Sequence, residues 1–156
     1  MAVADLRPTD EALELRDRVR AFMEAHVYPN EQALDREDDA ADALVGELRA
    51  RAKEEGLWAP HLPPDAGGSS GSFLVYAHLN EEIGRSLWGQ LVFNCQAPDA
   101  GNGEILWHFG TEEQKRRYLD PLVSGEARSF FSMTEPEVPG SDPNNHKISA
   151  FPASGA

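Results

Sequence analysis

The chain has 156 residues, 27 of them acidic and 14 basic, for a net charge of −13, and a single cysteine. One domain is the default at this length, and roughly 70% of the unfolded surface can be buried. The acidic balance argues against nucleic acid and anionic bilayers, no apolar run approaches a membrane span, and the lone Cys95 suits a reducing, cytoplasmic setting without an internal disulfide.

The N-terminus, MAVADLRPTDE, has no apolar core like that of a signal peptide. Thr9–Val27 reads as a first helix. Pro8 and Thr9 mark its start, and Asp10, Glu11 and Glu14 favour the positive end of its dipole. Leu15, Val19, Phe22, Met23 and Val27 share one face, which is packing surface. Pro29-Asn30 interrupts it, with a short helical piece expected up to Asp35. The charged stretch Asp35–Asp39 reads as a solvated linker. Asp42–Gly56 is a second helix with Leu44, Val45, Leu48 and Ala52 inward and Gly56 as its stop.

Leu57–Ser72 is a loop rich in proline and glycine. Gly67-Gly68 and Gly71 invite comparison with a phosphate cradle, but no strand precedes them and no lysine follows, so a structural turn is expected. His61 has no second ligand at metal spacing and is expected at the surface. Phe73–Arg85 is a third helix, apolar around most of its first turns and therefore central in a bundle. Glu81 and Glu82 point about 100° apart, a poor pair for joint acid/base work. His78 and Glu82 share a face at i, i+4, which predicts an ion pair before a catalytic dyad. Ser86–Gln90 is a turn, and Val92–Ala97 either starts a helix or crosses between helices.

Asp99 is a candidate N-cap for a helix over Asp99–Phe109, where Gly101 and Gly103 permit close backbone approach. Trp107, His108 and Phe109 read as core or partner contacts. Thr111-Glu112-Glu113-Gln114 is a capping box, and Gly125 ends the helix that follows. The basic triplet Lys115-Arg116-Arg117 is too short for a nucleic-acid claim. These elements predict an all-α bundle of about five helices with a short C-terminal strand.

That strand is expected at Arg128–Met133, where two aromatics sit between small polar residues. Pro136 stops it, and Gly140-Ser141-Asp142 closes it as a turn. A lone strand leaves its ladder groups unpaired. Such a strand end is either an ordinary turn or an array able to receive a carbonyl-rich ring or a phosphate. After Asp142 the text PNNHKISAFPASGA has the composition of a disordered tail.

The stretch RSFFSMTEPEVPGSD resembles the flavin-binding strand of the acyl-CoA dehydrogenase family, with its M/V-T-E-P and G/S-S-D elements. LWAPHLPPDAGG, FNCQAPDAGNG, FGTEEQK and YLDPLVSGE match the family in the right order, so the resemblance runs from about Leu13 to Asp142. It implies a helical N-terminal domain over 9–126, the start of a flavin-binding β domain over 127–142, and a tail over 143–156. It further implies FAD as cofactor, an acyl-CoA thioester as substrate, electron-transfer flavoprotein as acceptor and a family-type homo-oligomer. Phe131, Met133 and Thr134 align with contacts to the flavin ring, and Gly140 and Ser141 with the turn near the cofactor phosphates. Gly101 and Gly103 fall near the acyl pocket. The family's glutamate base belongs to a C-terminal helical domain, so no catalytic residue is assigned in this chain, and Glu137-Val138-Pro139 depart from the family's smaller residues. The chain is expected to be a truncated or frame-altered product that holds FAD weakly or not at all and is inactive alone. The alternative is a helical interaction module, derived from the same family, that has lost catalysis.

Overall fold

The structure is a computed structural model that describes residues 6–70, 72–138 and 140–149. Gly71 of the glycine loop, Pro139 of the last turn and the end of the expected tail lie outside the described residues.

Helix α1 is Asp10–Phe22, capped by Thr9, whose hydroxyl accepts the Ala12 N–H at 3.2 Å. It runs on through a π-helical turn, Met23–Val27, and a 3-10 turn, Tyr28–Asn30, into α2, Glu31–Leu34. The apolar stripe predicted for this stretch is core: Val19, Phe22, Met23 and Val27 are all buried. Helix α3 is Asp39–Glu54. It starts three residues before the expected Asp42, because the Asp38 carboxylate accepts the Ala41 N–H at 3.0 Å and caps it. The stretch expected to be plain solvated linker therefore contributes a cap, and Asp35 accepts the Trp88 indole N–H at 2.8 Å.

Helix α4, Phe73–Ile83, packs along α1 through Val75, Leu79 and Ile83, while Phe73 stays exposed. A one-turn helix α5, Gly89–Val92, begins inside the segment expected to be a turn, and the chain then crosses to α6, Asp99–Phe109. Helix α7, Glu112–Gln114, a π-helical turn, Lys115–Leu119, and α8, Asp120–Ser124, follow as one helical run. The capping box is formed as the sequence predicts, with Gln114 N–H to the Thr111 hydroxyl at 3.2 Å and Thr111 N–H to the Gln114 side chain at 2.9 Å. Gly125 closes the run at φ +80°, a conformation that favours glycine and one where a Cβ would also lie 2.6 Å from the Arg49 guanidinium. One apolar cluster spans α1 to the crossing after α5, with Phe22, Leu34, Leu48, Leu57, Leu79 and Phe93 at its centre. No described helix is long and apolar enough to cross a membrane.

The bundle expected from the sequence is present; the strand is not. Among the described residues there is no strand, and Arg128–Met133 is irregular chain. The aromatic pattern supplies a propensity, but a strand exists only through ladder hydrogen bonds to a second one, and no described segment offers them. Beyond Asp142, a 3-10 turn covers Pro143–Asn145.

Candidate functional site

The segment that leaves the bundle after α8 is tied to the start of α6 by one carboxylate. Asp99 is 3% exposed. Its Oδ1 accepts the Ser129 N–H at 2.7 Å and the Ser129 hydroxyl at 2.6 Å. Its Oδ2 accepts Arg128 Nε at 2.6 Å and the Gln96 amide at 2.6 Å. One turn further along α6, Asn102 Nδ2 donates to the Ser129 hydroxyl at 2.9 Å. The N-cap role expected of Asp99 is therefore not the one it plays. Pro98 precedes the helix, Asp99 is its first residue, and its side chain is spent on Gln96 just before it and on two residues about thirty positions away.

Burial by itself would raise the Asp99 pKa. The Ser129 hydroxyl and N–H and the Arg128 guanidinium outweigh that, and the net direction is down. A depressed carboxylate contributes stability that is fully present above its unfolded value of about 3.9 and is lost as pH falls through the lower folded value. Acid unfolding monitored by circular dichroism should therefore show a pH dependence in this range that is shallower in Asp99→Asn. Parallel curves would mean that the clasp carries no linked proton.

Beside the clasp lies an apolar cleft of about 420 Å³ between α6 and the α7–α8 run. Ile105, Leu106, Tyr118, Pro121 and Leu122 line it, with Arg128 and Ser129 at one side. Gly103, expected to reflect tight packing, has its nearest neighbours 3.8–3.9 Å from the position of a Cβ, and Gly101 has none within 4 Å. Crowding does not demand glycine at either place.

The five residues with expected cofactor roles all lie in or beyond this segment. Phe131 and Met133 are 55% and 42% exposed, and Thr134 and Ser141 are exposed as well. The chain loops back so that a Cβ at Gly140 would sit 2.6 Å from the Met133 carbonyl oxygen and 3.5 Å from Thr134 Cα. Met133, Thr134 and Gly140 are thus brought together, and only glycine permits that approach. Phe131 and Ser141 flank this closure in sequence. The Glu135 carboxylate is turned to the following chain, where it accepts the Lys147 and Ile148 N–H groups at 3.0 Å.

Two other expectations are corrected. His78 and Glu82 do not pair. Glu82 binds Arg20 at 2.7 Å and Arg85 at 3.2 Å, while His78 Nε2 lies 3.2 Å from the Leu6 carbonyl. The guanidinium of Arg20, on α1, takes the carboxylate in a charge-assisted hydrogen bond, and that bond holds the Glu82 carboxylate below its usual range. His61 is not a surface histidine. It packs edge-on to Tyr76, with ring centroids 6.1 Å apart, and burial pushes its pKa down to about 4. The glycine loop is the structural turn expected, with Gly67 at φ +82° and Gly68 N–H to the Pro63 carbonyl at 2.9 Å.

Sequence inspection missed Ser129 and Asn102 and gave Asp99 a local role. The available signal was a single acid with no basic partner at helical spacing, followed about thirty residues later by Arg-Ser at the head of the T-E-P segment.

Comparison with known proteins gives this site its context. The model of the acyl-CoA dehydrogenase N-terminal domain matches residues 9–126. Acyl-CoA dehydrogenase family member 10 of Mus musculus is 44% identical over 87% of this chain and 14% of its own length. Acyl-CoA dehydrogenase family member 11 of Gallus gallus is 43% identical over 85% of this chain and 18% of its own. A solved structure from Mycobacterium abscessus, assigned by its solvers as an acyl-CoA dehydrogenase, superposes with a TM-score of 0.78 at 41% identity, covering 89% of this chain and 38% of that one. The chain thus spans less than a fifth of the length of these two curated relatives. It belongs to the acyl-CoA dehydrogenase family, matching that family's N-terminal helical domain.

Proposed function

We propose that this chain forms the helical wall of an FAD-dependent site that removes hydrogen across the Cα–Cβ bond of an acyl-CoA thioester. The observation that carries this is the juxtaposition at Asp99. One carboxylate fixes the head of the T-E-P segment beside an apolar cleft, so a surface suited to an acyl chain and a segment suited to a flavin meet at one place.

The segment's own chemistry fits a flavin. Phe131 and Met133 offer exposed apolar surface to a ring, and Thr134 and Ser141 offer hydroxyls. Gly140 brings the backbone of the turn against Met133–Thr134. The carboxylate of the T-E-P element, Glu135, is engaged by the Lys147 and Ile148 N–H groups, and that of Asp142 by the Asn144 N–H, so neither confronts the carbonyls of a ring. In this proposal Phe131, Met133 and Thr134 hold the ring side, and Gly140 and Ser141 the phosphate side. FAD, when bound, supplies the hydride acceptor; the protein contributes orientation and exclusion of water. Ile105, Leu106 and Tyr118 would line the acyl chain's path. We assign the base to no residue here. Residues 9–126 are placed in the helical domain and 127–142 at the start of the flavin-binding part. Electron-transfer flavoprotein is the proposed acceptor, a homo-oligomer of the family type the proposed assembly, and the buried thiol of Cys95 supports a cytoplasmic setting.

Titration of the purified chain with FAD, followed by quenching of flavin fluorescence, tests the assignment. Saturable but weak binding is expected, lost in Gly140→Val, together with no acyl-CoA-dependent dye reduction. Gly140→Val binding as well as the parent would remove the turn from the site. Dye reduction by the chain alone would place a base within it.

A further inference from the structure

We infer that Asp99 is a positioning residue for the cofactor segment, a role that rests on the flavin reading above. It touches no reacting atom. Its work is to hold Arg128 and Ser129, two to three residues ahead of Phe131, in a single arrangement against α6.

Three observations carry this. All four groups that meet the carboxylate within 2.7 Å are donors: the Ser129 N–H, the Ser129 hydroxyl, Arg128 Nε and the Gln96 amide. Only a carboxylate accepts on both oxygens. An asparagine turns one of those faces into a donor and sets it against either Ser129 or the Arg128–Gln96 pair. Second, the Ser129 hydroxyl is held from both sides, donating to Asp99 and accepting from Asn102, so the segment is fixed to two points three residues apart on one face of α6. Third, the carboxylate does not cap its own helix, so its burial is explained by the segment it holds. The geometry also orients Arg128. Its Nε is committed to Asp99, while its side chain remains half exposed where the apolar cleft meets a second cleft, of about 340 Å³, against α3.

The test uses the full chain and its Asp99→Asn and Ser129→Ala variants, read by amide hydrogen exchange and by FAD titration. In Asp99→Asn, exchange at residue 129 should rise about tenfold or more, with amides in α1 and α4 unchanged and FAD affinity down by a similar factor. Ser129→Ala, which removes the hydroxyl and keeps the N–H contact, should show the same pattern at smaller size. If Asp99→Asn loosens α1 and α4 as well, the alanine variant decides. Unchanged exchange at residue 129 in both variants overturns the inference, and so does faster exchange there with FAD affinity intact. A parent chain with no saturable FAD binding overturns the flavin reading instead, and the exchange data then still decide whether Asp99 fixes the segment.

Discussion

Replacing Phe22 with alanine is expected to cost about 3–5 kcal/mol, the range for deleting a fully buried aromatic ring. Phe22 ends α1 and is only 2% exposed. Its ring meets that of Phe93, at the crossing after α5, with centroids 5.1 Å apart, and that of His26 at 5.0 Å. Phe93 in turn accepts the Ala59 N–H on its carbonyl at 2.9 Å, so the contact reaches the loop after α3. The void left by a deleted ring would therefore open where three separate segments meet, and none of them can close it without dragging backbone. Against a total stability of about 5–15 kcal/mol for a domain of this size, the variant sits near the edge of folding. Urea unfolding should show a midpoint well below that of the parent with a similar slope. A loss under about 1 kcal/mol would mean that the site collapses around the void.

What could be read from the sequence was what is local. The α1 stripe, the Thr111–Gln114 box and the stops at Gly56 and Gly125 depend on spacings of a few residues, and each is present in the structure. What could not be read depends on partners far along the chain. Glu82 looked paired with His78, four residues away, but its partner Arg20 is 62 residues away. Asp99 looked like a cap because caps are local; apart from the Gln96 amide, its donors lie 29 and 30 residues on. The strand failed for the same reason in reverse. Phe130-Phe131 carry strand propensity, but pairing needs a second segment, and propensity contains no information about one. The T-E-P motif was legible as a string, and its closure at Gly140 was implied by the glycine. The cleft beside it was not, because it arises from the approach of α6 to the α7–α8 run.

Asn94 shows the same dependence on distant partners, and its replacement by alanine is expected to cost about 3 kcal/mol, from two separable sources. The residue is 4% exposed and lies in the crossing that sequence left undecided. Its backbone is left-handed, at φ +56°, which asparagine tolerates and alanine resists. Its side chain also answers needs at both ends. Oδ1 accepts Arg49 Nη2 at 2.9 Å, and Nδ2 donates to the Leu122 and Val123 carbonyls at 3.3 and 3.4 Å. Those carbonyls lie in the last turn of α8, where backbone donors run out, although the Leu122 carbonyl also accepts the Gly125 N–H at 3.2 Å. Trp58 Nε1 to the Val123 carbonyl at 2.7 Å and Lys53 Nζ to the Ser124 carbonyl at 2.7 Å complete the cap from α3 and the loop after it. Alanine removes the side-chain bonds and adds backbone strain; glycine removes the same bonds without the strain. Asn94→Gly should therefore be more stable than Asn94→Ala by about 1 kcal/mol, and both should lie below the parent. Because α8 leads through Gly125 into Arg128 and Ser129, both variants should also weaken the proposed FAD binding, though neither touches residues 131–141. Equal losses in the two variants would remove backbone strain from the account. Parent-like melting with weakened FAD binding would make the cap a determinant of where the segment sits rather than of how firmly the bundle holds together.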